Sequence, residues 1–372
     1  MRIKITSIVG TRPELIRMAK IFSKFDKYFD HRIIHTGQNN THELKDIFFK
    51  DLHIRKPDFE FNMNSNNLGK SLSNLFGEMG EEFINNKPDA IVVLGDTNSS
   101  LCGILAKRLQ IPFYHIEAGL RSFDKNVPEE INRRIIDHTA DFNMVYTEQA
   151  RTNLLNEGLH PRTISLIGSP MKEVISENMT EILESKILEK LDINKNEFYL
   201  VSLHRQENVN NTSRLKKIMV SLNNLSLDTG LPIIFSMHPR TKNEVKEMKL
   251  NLNSNVKFYE PFGFNDYCKL QLNSRLVLSD SGSVSEEAAI LGFKAITLRD
   301  SMERPEALES GSIVMSGANS DMLAEYVQAV ESMQIASHTP IEYKISDTSE
   351  RVVKFILSTI HQYNFWFGIR KN

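Results

Sequence analysis

The chain has 372 residues, too many for one ordinary core, so about two domains are expected. Hydrophobic residues make up 40% and charged residues 25%, as in ordinary globular proteins, and the formal net charge of −2 leaves no bulk electrostatic basis for binding nucleic acid or an acidic membrane. Cys102 and Cys268 lie far apart with no CxxC or Cys/His spacing, which argues against a disulfide framework or a metal site and for small apolar side chains in a reducing compartment. The opening run 3–9 is too short and polar for a signal peptide. No apolar stretch approaches the ~20 residues of a membrane span, so a cytoplasmic protein is expected.

Short β-branched runs at 2–9, 32–36, 90–94, 112–116, 142–146 and 164–167 read as strands. Helical periodicity lies between them at 14–25, 68–84, 99–109, 129–139 and 148–157. The alternation breaks near Gly168-Ser169-Pro170, and a charged, lysine-rich stretch fills 172–196. A second series then runs through strands at 198–203, 232–237, 256–259, 276–279, 295–298 and 312–315, with helices at 213–222, 265–273 and 284–291. Such alternation builds right-handed βαβ units and parallel sheets. The expected architecture is α/β: two doubly wound Rossmann-like domains, 1–170 and 171–349, facing a central cleft. Helical spacing at Val352, Val353, Ile356 and Ile360 predicts a terminal helix within 350–372, packed back on the first domain.

Ligands of open parallel sheets bind just past the carboxyl ends of strands. In the first half, Val9-Gly10-Thr11-Arg12-Pro13-Glu14 is a strand–turn–helix junction. Turn geometry accounts for Gly10 and Pro13 but not for Arg12, a cation where the helix dipole disfavours one, so Arg12 is a candidate for a phosphate. Three acids follow at comparable places: Asp96 after 90–94, Glu117 after 112–116, and Glu129 behind Pro128 at a helix start. The plainer reading of each is a helix cap or first-turn acid. Three in succession, with His115, Arg121 and Arg133 nearby, point instead to proton chemistry, because clustered carboxylates can divide into an acid and a base.

In the second half, Asp280-Ser281-Gly282-Ser283 joins a strand to a helix. Small residues and free amides there suit a phosphate. Ser283-x-x-Glu286 equally fits a capping box with no ligand, and the two readings weigh evenly. Glu287 is placed to accept hydrogen bonds from ribose hydroxyls. His204-Arg205 and His238-Pro239-Arg240 end two further strands. A lone histidine there is usually structural, whereas two His-plus-Arg pairs favour an anion. Arg304 lies in a charged segment after another strand. Taken together, the halves suggest a basic second domain holding a nucleotide diphosphate and an acidic first domain facing what it carries.

At these residues the chain resembles the non-hydrolysing UDP-N-acetylglucosamine 2-epimerases, a family with the two-domain GT-B fold. The resemblance rests on GTRPE at 10–14, GDT at 95–97, HIEAGLR at 115–121, PEExNR at 128–133, HRxE at 204–207, SDSG at 279–282 with EE at 286–287, and ERPE at 303–306. It implies C2 epimerisation of a UDP-linked 2-acetamido sugar, of the UDP-GlcNAc to UDP-ManNAc type, with no redox cofactor. UDP is eliminated to leave a 2-acetamidoglycal and then adds back. By resemblance, Asp96, Glu117, Glu129 and His204 are catalytic, and Ser281, Gly282, Glu287 and Arg304 contact UDP. Arg12 and His204 are candidates for stabilising departing UDP, and His238 and Ser283 join the binding set from their own positions. Homodimers are usual in the family.

Some positions depart from the family pattern. Asn39-Asn40 follow Gln38 where many members have a Gln-His pair tied to a regulatory second UDP-sugar site. Ser283 replaces a common glycine, and Gly168-Ser169-Pro170-Met171 stands where Gly-Asn is frequent. These features lean toward the branch that acts on UDP-2-acetamido-2,6-dideoxy-L-talose and forms UDP-N-acetyl-L-fucosamine. The competing readings are a GT-B glycosyltransferase, a hydrolysing 2-epimerase and a non-enzymatic nucleotide-sugar sensor. Acids around the sugar weigh against a transferase and a sensor, and the GTRPE start resembles the hydrolysing group less well.

Overall fold

A computed structural model describes residues 2–38, 42–65, 67–203, 205–209, 211–237, 239–248, 250–317, 322–334 and 338–370. The chain forms two compact units, one of Met1–Ser176 with Ile345–Asn372 and one of Glu177–Lys344.

The first unit is built on seven strands: β1 (Lys4–Val9), β2 (Asp30–His35), β3 (Phe59–Glu60), β4 (Ala90–Leu94), β5 (Phe113–Ile116), β6 (Phe142–Val145) and β7 (Ile164–Leu166). All pairings are parallel, in the order β3-β2-β1-β4-β5-β6-β7. Every residue of β4, β5 and β6 is buried, because helices cover both faces of a parallel sheet. Helix α1 (Arg12–Tyr28) buries Leu15, Met18, Ile21, Phe22 and Phe25 on one face. α2 (His42–Asp51) follows β2. α3 (Leu68–Asn85) buries Leu75, Met79 and Phe83, four residues apart. α4 (Gly103–Arg108) and α5 (Pro128–Thr139) complete the part that shapes the site. The strand order reverses between β1 and β4, where such sheets bind ligands at their carboxyl edge.

The chain's last long helix, Thr348–Thr359, packs on this unit. Its first turn is held by Glu173, which accepts from Ser349 N at 2.8 Å and from Ser349 Oγ. Phe355 lies edge-on to the rings of Tyr114 in β5 and Phe142 in β6, and Tyr114 OH lies 2.8 Å from Thr359 Oγ1. Buried aromatic faces of this kind contribute beyond their area.

The second unit has six parallel strands, β8 (Tyr199–Leu203), β9 (Ile233–Met237), β10 (Val256–Tyr259), β11 (Leu276–Ser279), β12 (Ala295–Thr297) and β13 (Val314–Met315). Their order is β10-β9-β8-β11-β12-β13, with the reversal between β8 and β11. Helices Thr212–Thr229, Phe264–Asn273, Val284–Leu291 and Leu323–Ser332 flank them.

The α/β class is as the periodicity predicts: two Rossmann-like units with parallel sheets. Three local differences have physical causes. β3 is two residues long and has no period to read; it is recruited by Ile34 and His35 of β2. The lysine-rich stretch, given no element from the sequence, folds as helices Met171–Glu177, Met179–Glu184 and Ile187–Leu191, anchored by buried Ile182, Ile187 and Leu191. The terminal helix stops at Thr359 and continues as a tighter turn, Ile360–Gln362. Both cysteines are free and buried. Among the described residues no helix is long and apolar enough to cross a membrane.

Candidate active site

In the first unit, β1 runs into α1 through Gly10 and Thr11, and Arg12 is the first helical residue. Gly10 has no room for a side chain, since a Cβ there would run into Ser99 Oγ and Thr36 Oγ1. Glu14 folds back over this turn. Its Oε2 accepts from Gly10 N (2.8 Å), Thr11 N (2.7 Å) and Thr11 Oγ1 (2.8 Å), and its Oε1 accepts from Thr97 Oγ1 (2.8 Å). Burial pushes this carboxyl up to about 7, against the pull of the same hydrogen bonds. The Arg12 guanidinium lies 5.3 Å from the centre of the Phe48 ring in α2. That cation–π contact offsets part of the unfavourable helix-dipole field.

β4 ends at Leu94, and Gly95 takes a left-handed φ of 75° before Asp96. β5 ends at Ile116, and Glu117 has a φ of 69°, a conformation that costs a non-glycine residue on the order of 1–3 kcal/mol. Tyr146, after β6, donates from OH to Glu117 Oε2 at 3.4 Å. Two buried arginines hold these acids. Arg133 of α5 donates from Nη1 to the Glu117 carbonyl (2.6 Å) and from Nη2 to Asp96 Oδ2. Its Nη2 also lies 3.8 Å from Glu117 Oε1, and Arg17 Nε of α1 lies 3.5 Å from Glu117 Oε2. Side-chain exposure is 17% for Asp96 and 7% for Glu117, so Asp96 is the more open to a ligand. Glu129 is half-buried in the first turn of α5, one turn before Arg133 and on the same face.

The other basic residues near the acids do a different job. His115, fully buried, donates from Nε2 to the Gly95 carbonyl (2.9 Å), and its Nδ1 is 2.9 Å from Asp137 Oδ1. Arg121 reaches Asp137 Oδ2 (2.6 Å) and Glu157 Oε2 (2.7 Å). Burial raises the Asp137 carboxyl, but His115, Arg121 and Arg133 outweigh it and hold it below the usual range. Glu130 accepts from Ser122 N (2.8 Å) and Arg134 Nε (2.8 Å). Of the basic trio seen in the sequence, it is Arg133 that reaches both Asp96 and Glu117.

In the second unit, buried Asp280 follows β11 and accepts from Arg205 N (3.0 Å) and Asn208 Nδ2 (2.9 Å), which shapes the turn after β8. Ser281 N donates to Ser279 Oγ (3.0 Å), and Ser281 and Ser283 hydroxyls are 2.9 Å apart. Three guanidiniums converge on Gly282. A Cβ built there would lie 2.9 Å from Arg304 Nη1, 3.5 Å from Arg205 Nη2 and 3.8 Å from Arg299 Nη1. Buried acids hold the arginines from behind. Glu286 Oε2 is 3.1 Å from Arg304 Nε, and Glu303 Oε1 accepts from Arg299 Nη2 at 3.0 Å and lies 3.9 Å from Arg205 Nη2.

The capping-box expectation fails here. Ser283 is in the αR region with no side-chain cap, and Glu286 turns to Arg304, because a buried guanidinium is a stronger partner than a helix-start amide. Glu287 is buried and accepts from Gln271 Nε2 at 2.6 Å. Its charge, after burial itself, pushes the Cys268 thiol well up. His204 and His238 lie outside the described residues, as do Asn39 and Asn40.

The family model described as UDP-N-acetylglucosamine 2-epimerase matches residues 23–357. The UDP-N-acetylglucosamine 2-epimerase of Methanocaldococcus jannaschii is 39% identical over 345 residues, covering 89% of this chain and 92% of its own. This chain belongs to the UDP-N-acetylglucosamine 2-epimerase family. Members of the family are isomerases, of its non-hydrolysing branch. The structure of UDP-N-acetylglucosamine 2-epimerase from Rickettsia bellii matches with a TM-score of 0.91 at 38% identity, covering 99% of this chain and all of that one (100%). The M. jannaschii UDP-GlcNAc 2-epimerase in complex with UDP-GlcNAc and UDP matches with a TM-score of 0.90 at 36% identity, covering 96% and 100%. These neighbours are GT-B-like, as is the fold of this family member.

Within the epimerase framework, two arginines, Arg17 and Arg299, do not stand out from the sequence. Arg17 shares the buried stripe of α1 with Glu14, Met18 and Ile21, and an arginine in an apolar stripe was the readable signal. Arg205 stands in the sequence beside His204 as an anion candidate, whereas Arg299 lies in the charged segment that ends in Arg304. Only the tertiary fold shows that both join Arg304 around Gly282.

Proposed function

We propose that this chain interconverts UDP-N-acetylglucosamine and its C2 epimer, UDP-N-acetylmannosamine, without a redox cofactor. The observation that carries the reading is the pair of acids, Asp96 and Glu117, gathered by Arg133 at the carboxyl edge of β4 and β5 beside the strand reversal. Proton removal from C2 needs a carboxylate of fixed direction. One residue holds both candidates, and Glu117 is kept in a left-handed backbone to present its side chain. Glu129, on the helix that supplies Arg133, is the third acid, and His204 is assigned by the family motif.

The nucleotide belongs to the second unit. Arg205, Arg299 and Arg304 surround the Gly282 turn, with Ser281 and Ser283 beside it and Glu287 and His238 completing the binding set. In the first half-reaction a carboxylate takes the C2 proton. The C1–O bond breaks, and UDP leaves with the bonding pair as a 2-acetamidoglycal forms. UDP adds back to C1 while a proton is delivered to the opposite face of C2. The C2 proton is weakly acidic, so stabilising charge on the departing diphosphate lowers the barrier most. Arg12 and His204 are the groups assigned to that task.

The deciding experiment incubates the pure protein with UDP-N-acetylglucosamine in D2O and follows products by NMR. Both epimers should appear with deuterium at C2 and no added nicotinamide cofactor. An epimer that keeps protium at C2 rules out elimination, and UDP released only when a sugar acceptor is added makes the chain a transferase.

A further inference from the structure

Glu14 closes the GTRPE motif, yet no step of the epimerisation uses it. Its side chain is buried, and its four donors divide unevenly. Three come from the turn that carries Arg12: the Gly10 and Thr11 amides and the Thr11 hydroxyl. These are what a glutamate at the third position of a helix does locally. The fourth is Thr97 Oγ1, 83 residues away in sequence and next to Asp96. Capping α1 does not require it.

The Thr97 contact joins the ends of β1 and β4, which are neighbours in the sheet at the strand reversal. Asp96 is held at its carbonyl by Asn132 Nδ2 (3.0 Å), which also donates to Asn98 Oδ1 (2.9 Å), and at two further points. Arg133 holds its carboxylate, and Thr97 is the next residue of the backbone. Gly95 itself is tied, its amide to the Ile116 carbonyl (2.9 Å) and its carbonyl to His115 Nε2 (2.9 Å), so the Thr97 contact acts on the segment that follows it. A misplacement of about 1 Å can cost up to 10²-fold in rate.

We infer that Glu14 and Thr97 form a positioning link that keeps the Asp96 carboxylate in register with the Arg12 guanidinium. Neither residue touches substrate. The inference rests on the proposed function for its turnover readout only.

The test compares Thr97→Val, which keeps the β-branched shape and removes the hydroxyl, with Thr97→Ser, which keeps the hydroxyl. Epimerisation kinetics, UDP affinity by calorimetry and amide hydrogen exchange are measured on the full chain. Thr97→Val should lower kcat roughly tenfold while KM and UDP affinity stay within about twofold, and Thr97→Ser should recover most of the loss. Exchange over 94–100 should speed up in Thr97→Val, while 8–15 stays protected by the three remaining donors of the turn. A merely structural contact would lower the melting temperature and leave kcat unchanged well below it. Equal kcat in wild type and both variants overturns the link, and so does unchanged exchange over 94–100. If the wild type does not epimerise the sugar nucleotide, the functional reading falls separately, and exchange over 94–100 still decides the link.

Discussion

The two units place their candidate residues at the same point of the same scaffold but with inverted charge. In the first, acids gather and buried arginines brace them: Asp96 and Glu117 against Arg133 and Arg17. In the second, arginines gather and buried acids brace them: Arg304, Arg299 and Arg205 against Glu286 and Glu303. A strand reversal in a parallel sheet supplies the opening, and what it attracts is set by the sign of the charges gathered at the turn. The bracing partner matters as much as the group it braces, because a charge in a low-dielectric site is tolerable only when paired.

The largest effect should come from breaking the acidic side. Asp96→Asn should lower kcat by about 10³-fold, within the range for losing a general acid or base, while UDP affinity measured by calorimetry changes less than about twofold. A matching loss of UDP affinity would erase the contrast between the units.

Glu14→Gln gives the next effect, visible in stability. The folded-state pKa of Glu14 is raised from 4.5 to about 7, chiefly by burial, so the fold favours the protonated carboxyl. That contribution is complete below about pH 4.5 and is lost as pH rises through 7. Glutamine does not titrate, so the variant should gain on the wild type between pH 5 and 8, by at most on the order of 3 kcal/mol. Parallel urea-denaturation midpoints across that range would show that the buried carboxyl does not titrate there.

The smallest effect sharpens the basic side. Arg205→Ala should disturb the fold less than a change at Arg304, because its side chain is 19% exposed against 4%. UDP affinity should fall about tenfold, near 1.4 kcal/mol for a charged hydrogen bond. Unchanged affinity would remove Arg205 from the anion site. Arg304→Ala is a poorer probe, since it strands Glu286, which is fully buried, and would cost several kcal/mol in stability as well.

Much of this was legible in the residues. Runs such as 90–94 and 276–278 are uniformly apolar because helices cover both faces, so those strands stand out. β3 did not, because a two-residue strand is made by its neighbour. Asp96 and Glu117 were found because acids directly after apolar runs fall at a sheet's carboxyl edge. His115 and Arg121 look like site residues by the same logic, yet Asp137 draws both into the interior. Sequence distance to an acid does not say which of several bases will turn toward it.

Local pattern by itself determined the strand–helix alternation, the two-part organisation and the chain positions where ligands meet such sheets, because periodicity and turn chemistry act over a few residues. Tertiary structure decided the partners. Arg133 joins Asp96 to Glu117, Glu14 reaches Thr97, and three arginines meet at Gly282 through contacts spanning from 16 to 83 residues. Only the packed sheet edge brings such charges close enough, in a low enough dielectric, for the choice of partner to carry real energy.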